Sequence, residues 1–431
     1  MTGSTGLFLI VRRSLRQHAL STFVTVISVA LASGLVMAVF SVKQQTHEAF
    51  TGSSVGFDAV LGARGSQLQL VLNTIFHLET SPGNIPWVMY DAIKKDKRVE
   101  LAIPYAVGDN YHGFRIVGTS DELFTKFEYQ QGKKFQVQAG GRFFKPEYAE
   151  AVIGSFAAQK TGLNVGDKFN PYHGITFDEK MRHDIEYVVV GVLEPTNSPS
   201  DRVIWIPIEG IFRMPGHVLK GTGQEYEAKA GEEIPDDAKE VSAVMLKFTT
   251  PIVGAQMDQT INKQGNRATL AWPIERVMLD LFDKIGWVDK VLGLVAYLVV
   301  IVAAGSILAS IYNTMNERRR EFAILRALGA RRSTVFSAIV LESGTIAALG
   351  SLLGFLVYAV ILAGVAVVVR AQTGVVLDVL QPARLELTNT LAVSILIVAP
   401  LGMILIGALA GIIPAMKAYR TDVASNLSPV S

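Results

Sequence analysis

The chain has 431 residues, 50% hydrophobic and 18% charged, with a mean hydropathy of +0.34; soluble domains carry about a quarter charged residues, which argues against an ordinary cytosolic enzyme. The net charge of +2 hides an asymmetry: residues 43–284 hold 26 basic against 31 acidic side chains, a net of −5, while the flanks hold 14 against 7, a net of +7. An acidic middle between basic, apolar flanks argues against nucleic acid, which selects a contiguous basic face, and the lack of any cysteine excludes disulfides, thiolate metal sites and cysteine catalysis.

Residues 1–19 carry Arg12, Arg13 and Arg16 without an acid and read as a cytoplasmic N-terminus. Residues 20–42 contain no charge and are long enough for the roughly 20-residue helix that a bilayer core requires. That length, with no A-x-A site after Phe40, favours an uncleaved anchor over a removed signal peptide.

Residues 43–287, about 245 in all, are enough for one large or two small extracytoplasmic domains. Segments 46–73 and 86–97 read as mixed helix and strand. Short runs at 114–119, 150–153, 186–193, 203–207 and 241–249 are filled by β-branched and aromatic residues and bounded by Gly, Pro, Asn or Asp. The domain is therefore predicted to be α+β, with a β-rich subdomain at about 150–214. Residues 216–240 are polar, acidic and aperiodic, a predicted loop. Ile274, Val277, Met278, Leu281, Phe282 and Ile285 then recur at helical spacing toward the next span, with Gly286 before it. Such a helix could be a stalk or an element packed on its own domain; the pattern leaves both open.

A second span is predicted at 288–312 and a cytoplasmic loop at 313–334. A third apolar run at 335–369 is too long for one upright crossing and is broken only by Glu342. A loop at 370–390, a fourth span at 391–413 and a tail at 414–431 complete the chain. Positive charge marks the cytoplasmic side of span ends. The loop after span two carries Arg318, Arg319, Arg320, Arg326, Arg331 and Arg332, and the tail carries Lys417 and Arg420, whereas 370–387 balances two Arg with Asp378 and Glu386. Four spans with both termini inside satisfy every loop. The predicted fold class is thus a membrane α-helical protein of four transmembrane helices, with a large α+β extracytoplasmic domain between helices 1 and 2.

Neither a P-loop nor a zinc-protease signature is present. Gly162-Leu-Asn-Val-Gly-Asp-Lys168 has the wrong spacing for a P-loop, so the chain does not cradle ATP phosphates by that mechanism. H-E-x-x-H does not occur either. His173 and His183, flanking Asp178-Glu179, are the one pair that suggests a metal, and the ten-residue separation favours a solvated turn over a ligand set. The expectation is no catalytic residue, no metal and no cofactor on this chain.

The informative segment is Asn313 to Ser333. Residues 317–328 favour helix, with Phe322, Leu325 and Leu328 in one apolar stripe and Arg318, Arg319 and Arg326 projecting elsewhere. Gly329 is placed to end it in a left-handed cap. By pattern such a helix could lie on the membrane surface or dock in a groove of a soluble partner. Glu342, about two turns or roughly 10 Å inside the membrane, could pair with the Arg cluster or snorkel to headgroups. Gly350-x-x-x-Gly354 and Gly407-x-x-x-Gly411 permit close helix packing, either at a dimer seam or within one subunit.

The segment Asn316 to Ser343 resembles the coupling-helix signature of the MacB/LolC/FtsX class of ABC-transporter permeases, approximately x-E-R-x-x-E-I-G-I-L-R-A-L-G-A-x-x-x-x-I…E. The matching positions are Glu317, Arg318, Glu321, Ile324, Leu325, Arg326, Ala327, Leu328, Gly329, Ala330 and Glu342, with Ala323 where glycine is commonest. The ending from Ile413 is similar to the family's P-A-x-x-A-x-x-x-D-P-x-x-A without its second proline. Ala151-Val-Ile-Gly154, Gly162-Leu, Gly166-Asp167, 188–193 and 204–207 are similar to its inserted β-rich subdomain.

The resemblance implies a non-catalytic permease subunit without an ATPase domain, in the bacterial cytoplasmic (inner) membrane. Its implied partners are a separate ABC ATPase subunit, which binds ATP and Mg, a second permease subunit as homodimer or related heterodimer, the lipid bilayer, and in some members a periplasmic or outer-membrane protein. The implied ATPase-coupling residues are Glu317, Arg318, Glu321, Phe322, Leu325, Arg326, Leu328 and Gly329. Export or extraction of periplasmic or membrane cargo is the first function implied; the alternative is non-transport mechanotransmission, such as activation of cell-wall hydrolases. The size of the extracytoplasmic domain matches lipoprotein-release and efflux members. Cargo is not legible.

Overall fold

A computed structural model describes residues 3–51, 56–130, 132–146, 149–214, 234–373, 375–388 and 391–420. They divide into two units: a helical unit up to Thr46, with Ile285–Val368 and residues from Leu377 on, and a sheet domain of His47–Lys284 with Val369–Val376.

Among the described residues four helices are long and apolar enough to cross a membrane: Ala19–Thr51, Ile274–Glu317, Arg332–Thr373 and Ile395–Arg420. The overlong third run is one continuous helix of 42 residues. At 1.5 Å per residue it spans about 63 Å, roughly twice a bilayer core. The fourth helix begins at Ile395, not at 391 as read from hydropathy, because Leu391–Ser394 pairs with Arg384–Thr388 as a hairpin. Residues 1–19 are also more than a charged tail: Gly3–Gln17 is a helix. Its Val11 and Ser14 are buried and its Leu15 packs on the helical unit's own core. That core gathers Val26, Val29, Ile307, Ile339, Ile346 and Met403 from all four long helices.

The sheet domain is built on ten strands. Their order is Ala268–Ala271, Ala59–Ala63, Ala243–Phe248, Val99–Tyr111, Phe114–Thr119, Ile204–Pro207, Glu150–Ile153, Tyr187–Val192, Lys168–Phe169, with Tyr172–His173 paired to Val99–Tyr111. Phe114–Thr119 with Ile204–Pro207 and Glu150–Ile153 with Tyr187–Val192 are parallel; the other pairs are antiparallel. Strand side chains alternate between faces, and the core divides accordingly. Ala102, Ala106, Ile204, Ile206, Ala151 and Ile153 enter one cluster, whereas Leu101, Ile103, Tyr105, Val203, Trp205 and Val152 enter the other.

Two sequence expectations change here. The sheet extends well beyond 150–214, since its longest strand is Val99–Tyr111. The run at 241–249 divides into Glu240–Val241, which pairs with Ile85–Pro86, and Ala243–Phe248. Of the acidic stretch, 216–233 with His217 lies outside the described residues, and 234–240 contains a single 3-10 turn, Asp236–Ala238. Ile274, Val277 and Met278 are buried in the sheet domain's second cluster. They form the first turns of the helix Ile274–Glu317, which is unbroken at Gly286.

Candidate functional site

The arginine-rich loop folds as a short helix, Arg319–Ala327, set off from the second long helix by a break at Arg318. Glu317 is therefore the last residue of the preceding helix. Its Oε2 lies 3.1 Å from His18 Nδ1. Gly329 adopts φ +97 and closes the helix C-terminus: its N–H donates to Arg326 O at 3.0 Å, and Ala330 N–H donates to Leu325 O at 3.0 Å. Those two bonds form a Schellman cap, which requires a left-handed residue at the Gly329 position.

Arg318 does not project outward, contrary to the helical-stripe expectation. It is 6% exposed. Its Nη1 donates to Ser14 Oγ at 2.6 Å and lies 3.6 Å from Glu342 Oε2, and its Nε donates to Glu321 Oε2 at 2.9 Å. Ser14 passes the bond on, donating to Glu342 Oε1 at 2.5 Å. The guanidinium also sits 5.1 Å from the Phe322 ring centre. One buried cluster thus ties the N-terminal helix, the break before the short helix and the third long helix together.

This anchoring splits the apolar stripe. Phe322 and Ala323 are buried in the helical unit's own core and Leu325 packs partly against it. Leu328 is 81% exposed and Ile324 44% exposed. Glu321 and Arg320 are exposed beside them, and Arg326 is partly buried. The face left for another molecule is therefore Ile324, Ala327 and Leu328 with Arg320 and Glu321, not the whole set read from sequence.

The glycines of the two small-residue motifs face helices of the same chain. A Cβ at Gly350 would stand 2.5 Å from Val29 Cβ, and one at Gly354 2.9 Å from Ser33 Cβ. Gly407 faces Ala347 in the same way, and Gly411 faces Ser343.

Comparison with known proteins decides the family. The model of the MacB-like periplasmic core domain matches residues 22–263, more than half of the chain, and that of the FtsX-like permease C-terminal region matches 293–423. The chain belongs to the MacB/LolC/FtsX family of ABC-transporter permeases. A relative of this permease is the lipoprotein-releasing system transmembrane protein LolC of Haemophilus influenzae, 23% identical over 314 residues, 68% of this chain and 70% of that protein. Similar solved structures are the periplasmic region of MacB from Actinobacillus actinomycetemcomitans and the extracellular domain of the ABC-type transporter YknZ from Gram-positive bacteria. The MacB region is 10% identical with TM-score 0.33, covering 53% of this chain and 94% of that one; the YknZ domain is 15% identical with TM-score 0.28, covering 49% and 97%. Membership implies an ABC ATPase partner and, with the four apolar helices, an inner-membrane protein.

Two residues of this permease escaped the sequence reading. Ser14 had one available signal: Val11, Ser14, Leu15 and His18 recur at the three-and-four spacing of a buried helix face. Asp109 had none. It lies on the strand Val99–Tyr111 and draws in His173 and His183, the pair expected in a solvated turn. Asp178 and Glu179, between the two histidines, are exposed and are not part of this cluster; Asp178 Oδ1 instead accepts from Lys180 N–H at 3.0 Å.

Proposed function

We propose that this chain is the permease subunit that carries ATPase motion across the membrane to its large extracytoplasmic domain, for export or extraction of periplasmic or membrane cargo of the lipoprotein-release or efflux type. The observation that carries the reading is the short helix Arg319–Ala327. It is bolted on one side through Arg318, Ser14 and Glu342, and it offers Leu328 and Ile324 on the other. A surface helix that needed only to stay folded would keep its exposed side polar; two large apolar side chains beside Arg320 and Glu321 suit a groove in a soluble partner. A rigid mounting matters equally, because a helix free to rock on its own unit would absorb a push instead of passing it on.

In this reading ATP and Mg bind the partner ATPase and not this chain, both termini and the Arg319–Ala327 helix are cytoplasmic, and residues 43–287 are extracytoplasmic. A second permease subunit completes the complex. The lipoprotein-releasing system to which the Haemophilus relative belongs supports the cargo class.

The test uses the purified permease with its cognate ATPase. Leu328→Asp and Ile324→Asp each remove an exposed apolar contact worth about 1.5–3 kcal/mol when buried. Each should weaken ATPase copurification by about 10- to 100-fold and abolish permease-dependent stimulation of ATP hydrolysis. Because both side chains are exposed in the chain itself, melting temperature should stay unchanged. Wild-type copurification and stimulation in both variants would overturn the proposal.

A further inference from the structure

We propose that Asp109, His173 and His183 form a binding site for a divalent transition-metal cation of the zinc type on the sheet domain. The three side chains come from distant parts of the sequence and are brought together by strand pairing. Val99–Tyr111 and Tyr172–His173 run antiparallel with Asp109 directly opposite His173. A register shift between Val107 and Asp109, against the neighbouring strand Phe114–Thr119, re-aims the Asp109 side chain.

The loop that delivers the second histidine is tied down at several points. Gly174, at φ +90, turns the chain and donates its N–H to Gly108 O at 2.7 Å. Asn110 Nδ2 donates to Gly174 O at 2.9 Å and Thr176 O at 3.3 Å. His183 N–H donates to Pro171 O at 2.9 Å, and Asn170 Nδ2 donates to Ile185 O at 2.9 Å. Both imidazoles are thus positioned by backbone bonds, not only by their bonds to Asp109.

The spacing fits a metal. With zinc–ligand bonds of about 2.0–2.1 Å, the ligand atoms of a tetrahedral site lie about 3.3 Å from one another. Asp109 Oδ1 lies 3.2 Å from His183 Nε2 and 3.5 Å from His173 Nδ1, and the ligand atoms of all three lie within 4.8 Å of one another. An ordinary buried Asp–His ion pair requires one imidazole. Here two rings, 5.5 Å apart between centres, converge on the same carboxylate oxygen. Two imidazolium cations at that distance would repel, whereas two neutral rings and a carboxylate round one cation satisfy every group. The Asp109 side chain is fully buried, that of His183 is 9% exposed and that of His173 40%. The cluster therefore has a closed back and a solvent-facing front where water or a further ligand completes the coordination. Two nitrogens and one oxygen favour zinc-type ions over magnesium or calcium, which take all-oxygen sites.

The experiment uses the full-length chain without a histidine tag, purified in detergent and stripped of metal with a chelator. It is dialysed against zinc, and bound metal is measured by mass spectrometry; cobalt is then substituted and its d–d absorption recorded. The expected result is about one zinc per chain, zinc-dependent elevation of the melting temperature, and imidazole-type cobalt bands. His183→Ala and Asp109→Asn should weaken zinc binding by more than the 10- to 100-fold produced by loss of a merely supporting residue. His173→Ala, at the solvent front where folding is least at risk, should remove the zinc-dependent melting shift while the metal-free melting temperature stays at the wild-type value. Asp178→Asn with Glu179→Gln, on the same loop, should bind as the wild type does. Absence of zinc retention by the wild type, or equal retention by the His173→Ala variant, would overturn the proposal.

Discussion

Arg318 serves four neighbours at once: Ser14, Glu321, Glu342 and the face of Phe322. A guanidinium offers five donors in a fixed plane and keeps its charge, so it suits a nearly closed position where lysine would satisfy fewer partners. Its tie to Glu342 has a consequence for stability. Removing one member of a buried ion pair leaves the other charged, enclosed and uncompensated. Glu342→Ala is therefore expected to destabilise the chain by about 3 kcal/mol, read as a lowered melting temperature in detergent. Glu342→Gln keeps an acceptor for Ser14 and should cost less. Replacing both members, Arg318→Met with Glu342→Leu, should recover most of the loss, since an apolar pair needs no compensation. Wild-type melting of Glu342→Ala would mean that the pair holds nothing. Glu342 was legible as the only acid in 35 apolar residues, and its neighbour across the loop was legible as a charge cluster. Which arginine of six would turn inward was not, because adjacent arginines look alike until the chain breaks at Arg318.

The helical stripe explains its own misreading at the scale of elements. Residues three apart advance by 300°, so Phe322 and Leu328 are separated by about 120° round the axis. A stripe taken as one face is broad enough to be buried at one edge and open at the other, which is what Phe322 and Leu328 are. Sequence likewise located several short strands almost to the residue but missed Val99–Tyr111, the longest. That strand contains Pro104 and Gly108, which break the usual pattern, and a register shift between Val107 and Asp109 breaks its alternation. Neighbours on both sides of a sheet hold such a strand where its local propensity does not. The same missed strand carries Asp109, so the carboxylate shared by His173 and His183 was invisible for the same reason. The small-residue motifs, by contrast, were read as two alternatives, and the close approach of Gly350 to Val29 lies within one chain. Gly350→Leu must push the first and third long helices apart, an overpacking cost of about 1–3 kcal/mol. Its melting temperature should fall, while Gly344→Leu, where a Cβ would meet nothing within 4 Å, should leave it close to wild type. Equal melting of the two would remove the helix-seam reading of Gly350.

The scale of the whole molecule was the most legible, for a physical reason. Membrane crossing depends on the length and polarity of a run, which need no tertiary partner to evaluate; sidedness is an expectation from a charge count, to be tested by labelling. Sheet order depends on contacts between residues far apart in sequence, and nothing local encodes those. The charge count makes a definite claim: the Arg319–Ala327 helix faces the cytoplasm, while the sheet domain and the 370–390 loop face the opposite side. Because the natural chain has no cysteine, single reporters can be placed without background. Asp178→Cys, Ala327→Cys and Gln381→Cys fall at exposed positions of the sheet domain, the short helix and the loop between the third and fourth long helices. In intact spheroplasts a membrane-impermeant maleimide should label the first and third reporters fully. Ala327→Cys should react only after permeabilisation. The Gln381 reporter also decides how the 42-residue third helix crosses, since a run that returned to its starting side would leave this position protected. Labelling of Ala327→Cys in intact cells, or protection of Asp178→Cys, would invert the orientation and detach the short helix from any cytoplasmic ATPase.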